Sequence, residues 1–274
     1  VSLSSIALIA GNGVYPETFV SAARKAGVKK LVAAGFIDET RPDLERQVDA
    51  MAWFRVGQLS KMIKFFHKEG IKHAVMVGQI APKNLFDLRP DLRTLMMLAK
   101  LKKRNAESLF GAIGDELKKE EIELLPATTF LEDFMPGPGL VAGPDPKQRR
   151  WEDAQYGFEI AKASSKLDIG QTVVVKKGTV LAVEAFEGTN ECIKRGGALG
   201  KGGCTMVKVS KPNQDMRFDV PVIGPDTISN AAAAGVDVIA VEADKTLILD
   251  QPEVFRRCAE LKVSLLGMGE KKGE

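Results

Sequence analysis

The opening of the chain constrains its fold more than any other stretch. Residues 5–10 (SIALIA) are an apolar run of strand length, followed by Gly11-Asn12-Gly13 and a helix-forming run through Pro16 to Ala26. The same grammar recurs: a strand at residues 29–35, an amphipathic helix at 59–69, a strand at 73–77 (HAVMV), and another at 121–125, with helices between. Strands alternating with helices predict a parallel sheet covered on both faces. The fold class expected is α/β, with an N-terminal Rossmann-like parallel-sheet domain over residues 1–132.

The densest concentration of Pro and Gly, MPGPGLVAGPDPKQ, ends that pattern, and residues 133–148 are expected to be a linker. A second, C-terminal domain of mixed α/β character is expected over residues 149–274. It opens with a helix at 151–165 and a hairpin, VVV then TVLAV, turned at Lys176-Lys177-Gly178. Strands at 205–209 and 236–241 and a helix at 253–261 follow. Gly196, Gly197, Gly200, Gly202 and Gly203 lie between, either as backbone that approaches a ligand or as a loose loop. The tail GMGEKKGE has no periodicity and is expected to fray.

Charge and cysteine content exclude several classes. Lys and Arg total 39 against 36 for Asp and Glu, so a net charge of +3 gives no argument for nucleic acid as a partner. Three cysteines without CxxC spacing predict reduced, packed thiols. Two histidines and no Cys/His cluster argue against zinc, so a metal, if held, is held by carboxylates and is magnesium, manganese or calcium. The first residues lack the regions of a signal peptide and no apolar run reaches transmembrane length, which predicts a cytoplasmic protein.

Four stretches carry candidate chemistry. Gly11, Asn12 and Gly13 follow a strand and precede a helix, where exposed N–H groups meet phosphate or sugar. Pro16 breaks the dinucleotide fingerprint, leaving a mononucleotide site or a plain tight turn. Gln79 follows the HAVMV strand at the ligand-binding edge of such sheets, as a base or sugar reader or as a solvated loop residue. Residues 88–104 (LRPDLRTLMMLAKLKKR) combine Leu and Met with Lys100, Lys102, Lys103 and Arg104, giving either a core-facing helix with a solvated basic side or a helix that lies on anionic lipid. Residues 208–227 (KVSKPNQDMRFDVPVIGPDT) are the densest interleaving of charge with strand formers. If residues 214–220 are extended, Asp215, Arg217 and Asp219 share one face and Met216, Phe218 and Val220 the other. Asp226 then stands at a strand-to-helix corner, either capping the helix or holding a metal or a water.

These residues together, LIAGNGVYP, VGQI, EAFEGTNECIKRGG and KVSKPNQDMRFDVPVIGPDT, resemble the LpxI-type UDP-2,3-diacylglucosamine pyrophosphatases of lipid A biosynthesis, over almost the whole chain. The resemblance implies a two-domain, Mg2+-dependent hydrolase, its C-terminal domain of a family-specific fold, that cleaves UDP-2,3-diacylglucosamine to UMP and 2,3-diacylglucosamine 1-phosphate, with the lipid held between the domains. It implies that Asp226 is catalytic and, with Asp219 or Asp215 as a second acidic contact, holds the metal. Arg195, Lys211 and Arg217 become candidate phosphate partners. Gly188, Thr189, Gln214 and Thr227 come from matched motifs, and Gly11 to Gly13 and Gln79 would face the nucleotide or sugar. Where EGTD is expected this chain has Asn190, which removes a charge. A diacyl substrate implies transient contact with the cytoplasmic face of the inner membrane, and a homo-oligomer is compatible with all of this. Two other readings stand beside it: a noncatalytic sugar-nucleotide sensor, and a dinucleotide-dependent sugar oxidoreductase, which the broken glycine fingerprint disfavours.

Overall fold

A computed structural model describes residues 3–80, 90–101 and 106–269. Leu88, Arg89, Lys102, Lys103, Arg104 and residues 270–274 of the stretches named above lie outside the described residues. The chain divides into two compact units: Val1–Leu131 with Asp215–Asp219, and Glu132–Gln214 with Val220–Glu274.

The first unit is built on five parallel strands in the order β3-β2-β1-β4-β5: β1 Ser5–Ala10, β2 Lys30–Phe36, β3 Ala50–Phe54, β4 His73–Val77 and β5 Glu123–Leu124. Strand β1 is central, and Ile6 to Ala10 are all buried. Helices cover both faces of such a sheet, so its middle strand is apolar throughout rather than alternating. Chain order runs outward from β1 in one direction through β2 and β3, and in the other through β4 and β5. The switch point therefore falls between β1 and β4. Helices α1 Tyr15–Lys25, α2 Leu59–Lys68, α3 Leu92–Lys100 and α4 Ala106–Lys119 accompany the sheet. Leu59, Met62, Ile63 and Phe66 place one face of α2 in the core at the i, i+3, i+4, i+7 spacing of an amphipathic helix. In α3, Met97 is buried but Leu92, Leu95 and Met96 are exposed.

The second unit holds a mixed six-stranded sheet, β6-β13-β11-β9-β7-β8. Its middle strands β9 Cys204–Lys208, β11 Val236–Glu242 and β13 Ser264–Met268 are parallel. Antiparallel β6 Gly139–Ala142 closes one side, and the hairpin β7 Thr172–Lys176 and β8 Thr179–Val183 closes the other. Lys177 and Gly178 both adopt positive φ, as a two-residue hairpin turn requires, and the buried Asp153 carboxylate accepts both of their N–H groups at 3.0 and 2.7 Å. Helices α5 Gln148–Lys166, α6 Thr189–Gly200, α7 Pro225–Ala233 and α8 Gln251–Leu261 pack around this sheet, and the short strands β10 Val222–Ile223 and β12 Leu247–Ile248 pair beside it.

Three expectations are corrected. Residues 139–142, inside the stretch expected to be a linker, form β6 on β13. The glycines at 196, 197 and 200 are helical and close-packed: a Cβ on Gly196 would stand 2.5 Å from the Val174 side chain, and one on Gly197 2.0 Å from the Ala234 carbonyl. They let α6 approach sheet and neighbour closely, so they neither line a ligand nor form a loose loop. Gly267 and Met268, assigned to the fraying tail, belong to β13.

Candidate active site

In the second unit β9 and β11 end at Lys208 and Glu242, which places both on one sheet edge. Ser210 follows at once, and its N–H and hydroxyl both donate to Glu242, at 2.8 and 2.7 Å. Lys162 and Lys245 complete the cluster at 3.0 and 2.7 Å. Burial raises the Glu242 carboxyl, but the bonds from Lys245, Ser210 and Lys162 more than offset it and hold the group below its ordinary value. This anchor fixes the start of the 210–219 stretch.

The segment 215–219 is not extended. The Phe218 and Asp219 N–H groups both donate to the Asp215 carbonyl, at 3.2 and 2.9 Å, making a helical turn. The Asp215 carboxylate takes the Arg217 backbone N–H at 3.1 Å and the Arg217 guanidinium at 2.9 and 2.6 Å. Arg217 thus holds Asp215 below its ordinary value. Side-chain bonding of this local kind competes with a strand ladder. The turn belongs to the first unit: Ala127 donates to the Met216 carbonyl at 2.8 Å, and the Phe218 and Phe110 rings lie 5.8 Å apart. The shared face expected for Asp215, Arg217 and Asp219 does not form. Arg217 is committed to Asp215, and the Asp219 carboxylate has no hydrogen-bond or ion-pair partner among the described residues.

Asp226 does not cap its helix. Gly224 stands at the N-cap, with its N–H on the Thr227 hydroxyl at 3.3 Å and its carbonyl taking the Thr227 N–H at 3.0 Å. That cap uses the Thr227 hydroxyl and leaves the Asp226 side chain 95% exposed, with one oxygen 3.2 Å from Arg257. Arg257, from α8, also bonds Ser229 at 2.9 Å and Glu253 at 2.7 Å, and this pairing, Glu253 first, raises its own value. No sequence spacing joins Arg257 to Asp226; only the Glu253–Arg257 step of one helix turn could have marked it as a fixed cation.

One turn beyond Asp226, the Asn230 amide donates to the Asn190 side-chain oxygen at 3.3 Å, joining α7 to the first turn of α6. There the Thr189 hydroxyl donates to Glu184 at 2.9 Å and accepts from Lys208 at 3.3 Å. Gly188, at φ +82, is the cap residue before Thr189. Glu184 is 9% exposed, and its second oxygen, buried, has no partner among the described residues. Glu184 is not among the candidate residues of the sequence. Arg195 pairs with Glu187 at 2.5 Å and holds that carboxyl below its ordinary value, while Lys211 pairs with Asp168 at 2.5 Å. The Gln214 side-chain oxygen takes the Lys211 N–H at 2.7 Å.

In the first unit, the loop 11–13 and Gln79 meet at the switch point. Asn12 N–H donates to the Gln79 carbonyl at 2.6 Å, and Gln79 N–H returns to Asn12 at 3.1 Å. Gly11 and Gly78 permit the approach: a Cβ on Gly11 would lie 2.6 Å from the Gln79 carbonyl, and one on Gly78, which holds φ +94, would lie 2.7 Å from the Asn12 carbonyl. Asn12, Gly13 and Gln79 are exposed. The clash predicts that Gly11→Ala opens this bridge and costs about 1–3 kcal/mol. Faster amide exchange at Asn12 and Gln79 with a lower urea midpoint checks it, and unchanged protection at both would refute it.

Beside this loop pair, Ile9, Phe36, Met76, Met97, Phe110 and Ile113 help enclose an apolar cavity of about 70 Å³. Asp91 holds its helical wall by taking the N–H groups of Thr94 in α3 and Ser60 in α2, at 2.9 and 2.6 Å. The three cysteines are buried, and burial pushes the Cys192 thiol up to about 12 and Cys258 to about 11, so they pack rather than react.

Two family models match in succession, the LpxI N-terminal domain over residues 5–134 and the LpxI C-terminal domain over residues 137–266. The chain belongs to the LpxI family. The UDP-2,3-diacylglucosamine pyrophosphatase LpxI of Caulobacter vibrioides is 30% identical, over 97% of this chain and 98% of its own. Solved structures are far more distant. The biotin carboxylase domain of Hydrogenobacter thermophilus 2-oxoglutarate carboxylase is 12% identical, covering 65% of this chain and 36% of that one at a TM-score of 0.28. N5-carboxyaminoimidazole ribonucleotide synthetase from Thermotoga maritima is 14% identical, covering 68% and 42% at 0.24. Scores that low carry no argument about this LpxI chain.

The magnesium that the family resemblance implies needs oxygen donors. No group of three or more His, Cys, Asp or Glu side chains converges among the described residues. An exposed carboxylate with one engaged oxygen, as at Asp226, nevertheless fits Mg2+, which keeps several waters and takes only one or two carboxylates.

Proposed function

We propose that this LpxI chain hydrolyses the pyrophosphate of UDP-2,3-diacylglucosamine to UMP and 2,3-diacylglucosamine 1-phosphate. The observation that carries the reading is the family match through both units, at 30% identity to a pyrophosphatase over nearly the full length. In the reaction, a water oxygen bonds to phosphorus, the bridging P–O bond breaks, and the displaced phosphate monoester leaves. Asp226 holds the water through its free oxygen and receives its proton. Arg257, already oriented by Glu253 and Ser229, keeps the carboxylate in place and offers its remaining N–H capacity to the charge that builds on phosphate oxygen. Asp226 would hold Mg2+, which would supply neutralisation of the pyrophosphate charge.

The bridged loops at Asn12 and Gln79 take the uridine or sugar, because these exposed residues carry side-chain amides at the ligand edge of the first sheet. Exposed Leu92, Leu95 and Met96 on α3 form the surface that meets the membrane while a diacyl substrate is collected. No helix among the described residues is long and apolar enough to cross a membrane. Lys211, Arg195 and Gln214 act by holding their loops, through Asp168, Glu187 and the Lys211 N–H, before any contact with phosphate.

Incubation with the lipid nucleotide and Mg2+ is expected to release UMP, to stop on chelation and to resume when Mg2+ is restored. No UMP with any divalent cation would overturn the proposal in favour of a noncatalytic sugar-nucleotide sensor.

A further inference from the structure

The second unit carries a pocket that the reaction does not use. It has a volume of about 450 Å³ and lies at the edge where β11 and β13 begin, opposite the edge where β9 and β11 end at Lys208 and Glu242. Six basic side chains line it: Lys147, Arg149, Arg150, Lys176, Lys177 and Lys262. Asp145 and Asp237 are the acids among its lining residues.

Two of the six are committed to the protein. Arg150 donates to the Gly203 carbonyl and pairs with Asp237 at 3.0 Å, and Lys176 donates to the Gly200 and Gly202 carbonyls at 2.5 and 2.7 Å. The side chains of Lys147, Arg149, Lys177 and Lys262 have no hydrogen-bond or ion-pair partner among the described residues.

Their placement runs against local preference. Lys147 caps α5 without a side-chain bond, and Arg149 and Arg150 stand in its first turn, which contains no acid. Cations are disfavoured there by the helix dipole. Lys177 and Lys262 hold φ +53 and +55, a region that suits Gly or Asn. Lys262 has a local reason, since a cation suits the C-terminus of α8; Lys147 and Arg149 have none. Like charges gathered in one concavity also repel each other. When several residues depart from local preference and meet in one pocket, the usual cause is a ligand.

We infer that this pocket is a second binding site, for a phosphate-bearing anion of nucleotide or phosphosugar size. Its volume falls within the ordinary range of small-molecule sites. The inference does not rest on the hydrolase reading, because none of these residues has a part in the proposed reaction. A free phosphate compound and an anionic lipid headgroup present the same chemistry.

The test uses the full chain and the triple variant Arg149→Gln, Lys177→Asn, Lys262→Asn, in which Asn keeps the positive φ while removing charge. Inorganic pyrophosphate binding is read by calorimetry. Sedimentation is read with phosphatidylcholine vesicles, alone and mixed with phosphatidylglycerol. The variant is expected to lose about tenfold or more in affinity in one arm, with unchanged turnover and an unchanged melting curve as the control on folding. Loss in calorimetry identifies a free phosphate compound, and loss confined to phosphatidylglycerol vesicles identifies a headgroup. Pyrophosphate held at the reaction centre contributes equally to both proteins. Equal behaviour of the two in both arms overturns the inference.

Discussion

Asp226→Asn is expected to lower kcat by about 10²–10⁴-fold, the usual contribution of a positioned acid or base, while leaving the fold and the affinity for 2,3-diacylglucosamine 1-phosphate intact. The structure makes the substitution clean. Gly224 and Thr227 cap α7, so the change removes no cap, and the carboxylate is 95% exposed, so nothing buried is left without a partner. The pair with Arg257 is a surface contact, and such pairs contribute little to stability. Asn keeps the shape and one acceptor oxygen but cannot take a proton. Single-turnover UMP release measures the first quantity, and calorimetric titration with the lipid product measures the second. Near-normal turnover would remove Asp226 from the chemistry, whereas lost product binding would make it a ligand-holding residue.

The second large effect is on stability. Glu242→Gln removes the charge that faces Lys162 and Lys245 and takes both the N–H and the hydroxyl of Ser210. Removing one partner of a buried ion pair costs about 3–5 kcal/mol, and because Lys162 is 24% exposed the expected loss lies at the low end of that range. The effect depends on pH with a definite sign. The folded-state value of Glu242 is held below its ordinary 4.5, so its stabilisation is fully present above 4.5 and disappears as pH falls through the folded value. Urea midpoints of the two proteins should therefore differ most at neutral pH and converge in acid. A gap that is constant with pH would mean the carboxylate charge is not what anchors Ser210.

Much of the fold was legible because its signals are local. Apolar runs punctuated by glycine gave β1, β4 and the β7–β8 hairpin; the 11–13 loop and Gln79 were each read at a strand end, but their meeting depends on β1 and β4 being neighbours, which no local signal announces. Strand β3 escaped because AMAWF is only partly buried and is reached from β2 through a 3-10 turn, Pro42–Gln47, rather than a helix. The alternation in residues 214–220 imitates a strand, but the Asp215 carboxylate captures the backbone two residues on and makes a turn. Capping was misplaced by two residues: Asp226 follows the N-cap, and a glycine does the work through Thr227. The role proposed for Asp226 rests on motif resemblance, since its residue type and position alone allowed a cap. Arg257 and the orphaned oxygen of Glu184 depend on contacts that no spacing announces.

The return of residues 215–219 to the first unit limits how these genes can be taken apart. A fragment ending at Leu131 would lack the Met216 carbonyl that receives Ala127 and the Phe218 ring that covers Phe110. Recombination that moves a continuous stretch of coding sequence would thus deliver an incomplete core, with apolar surface bare on α4. Two units that each look like a portable module are bound to be inherited together.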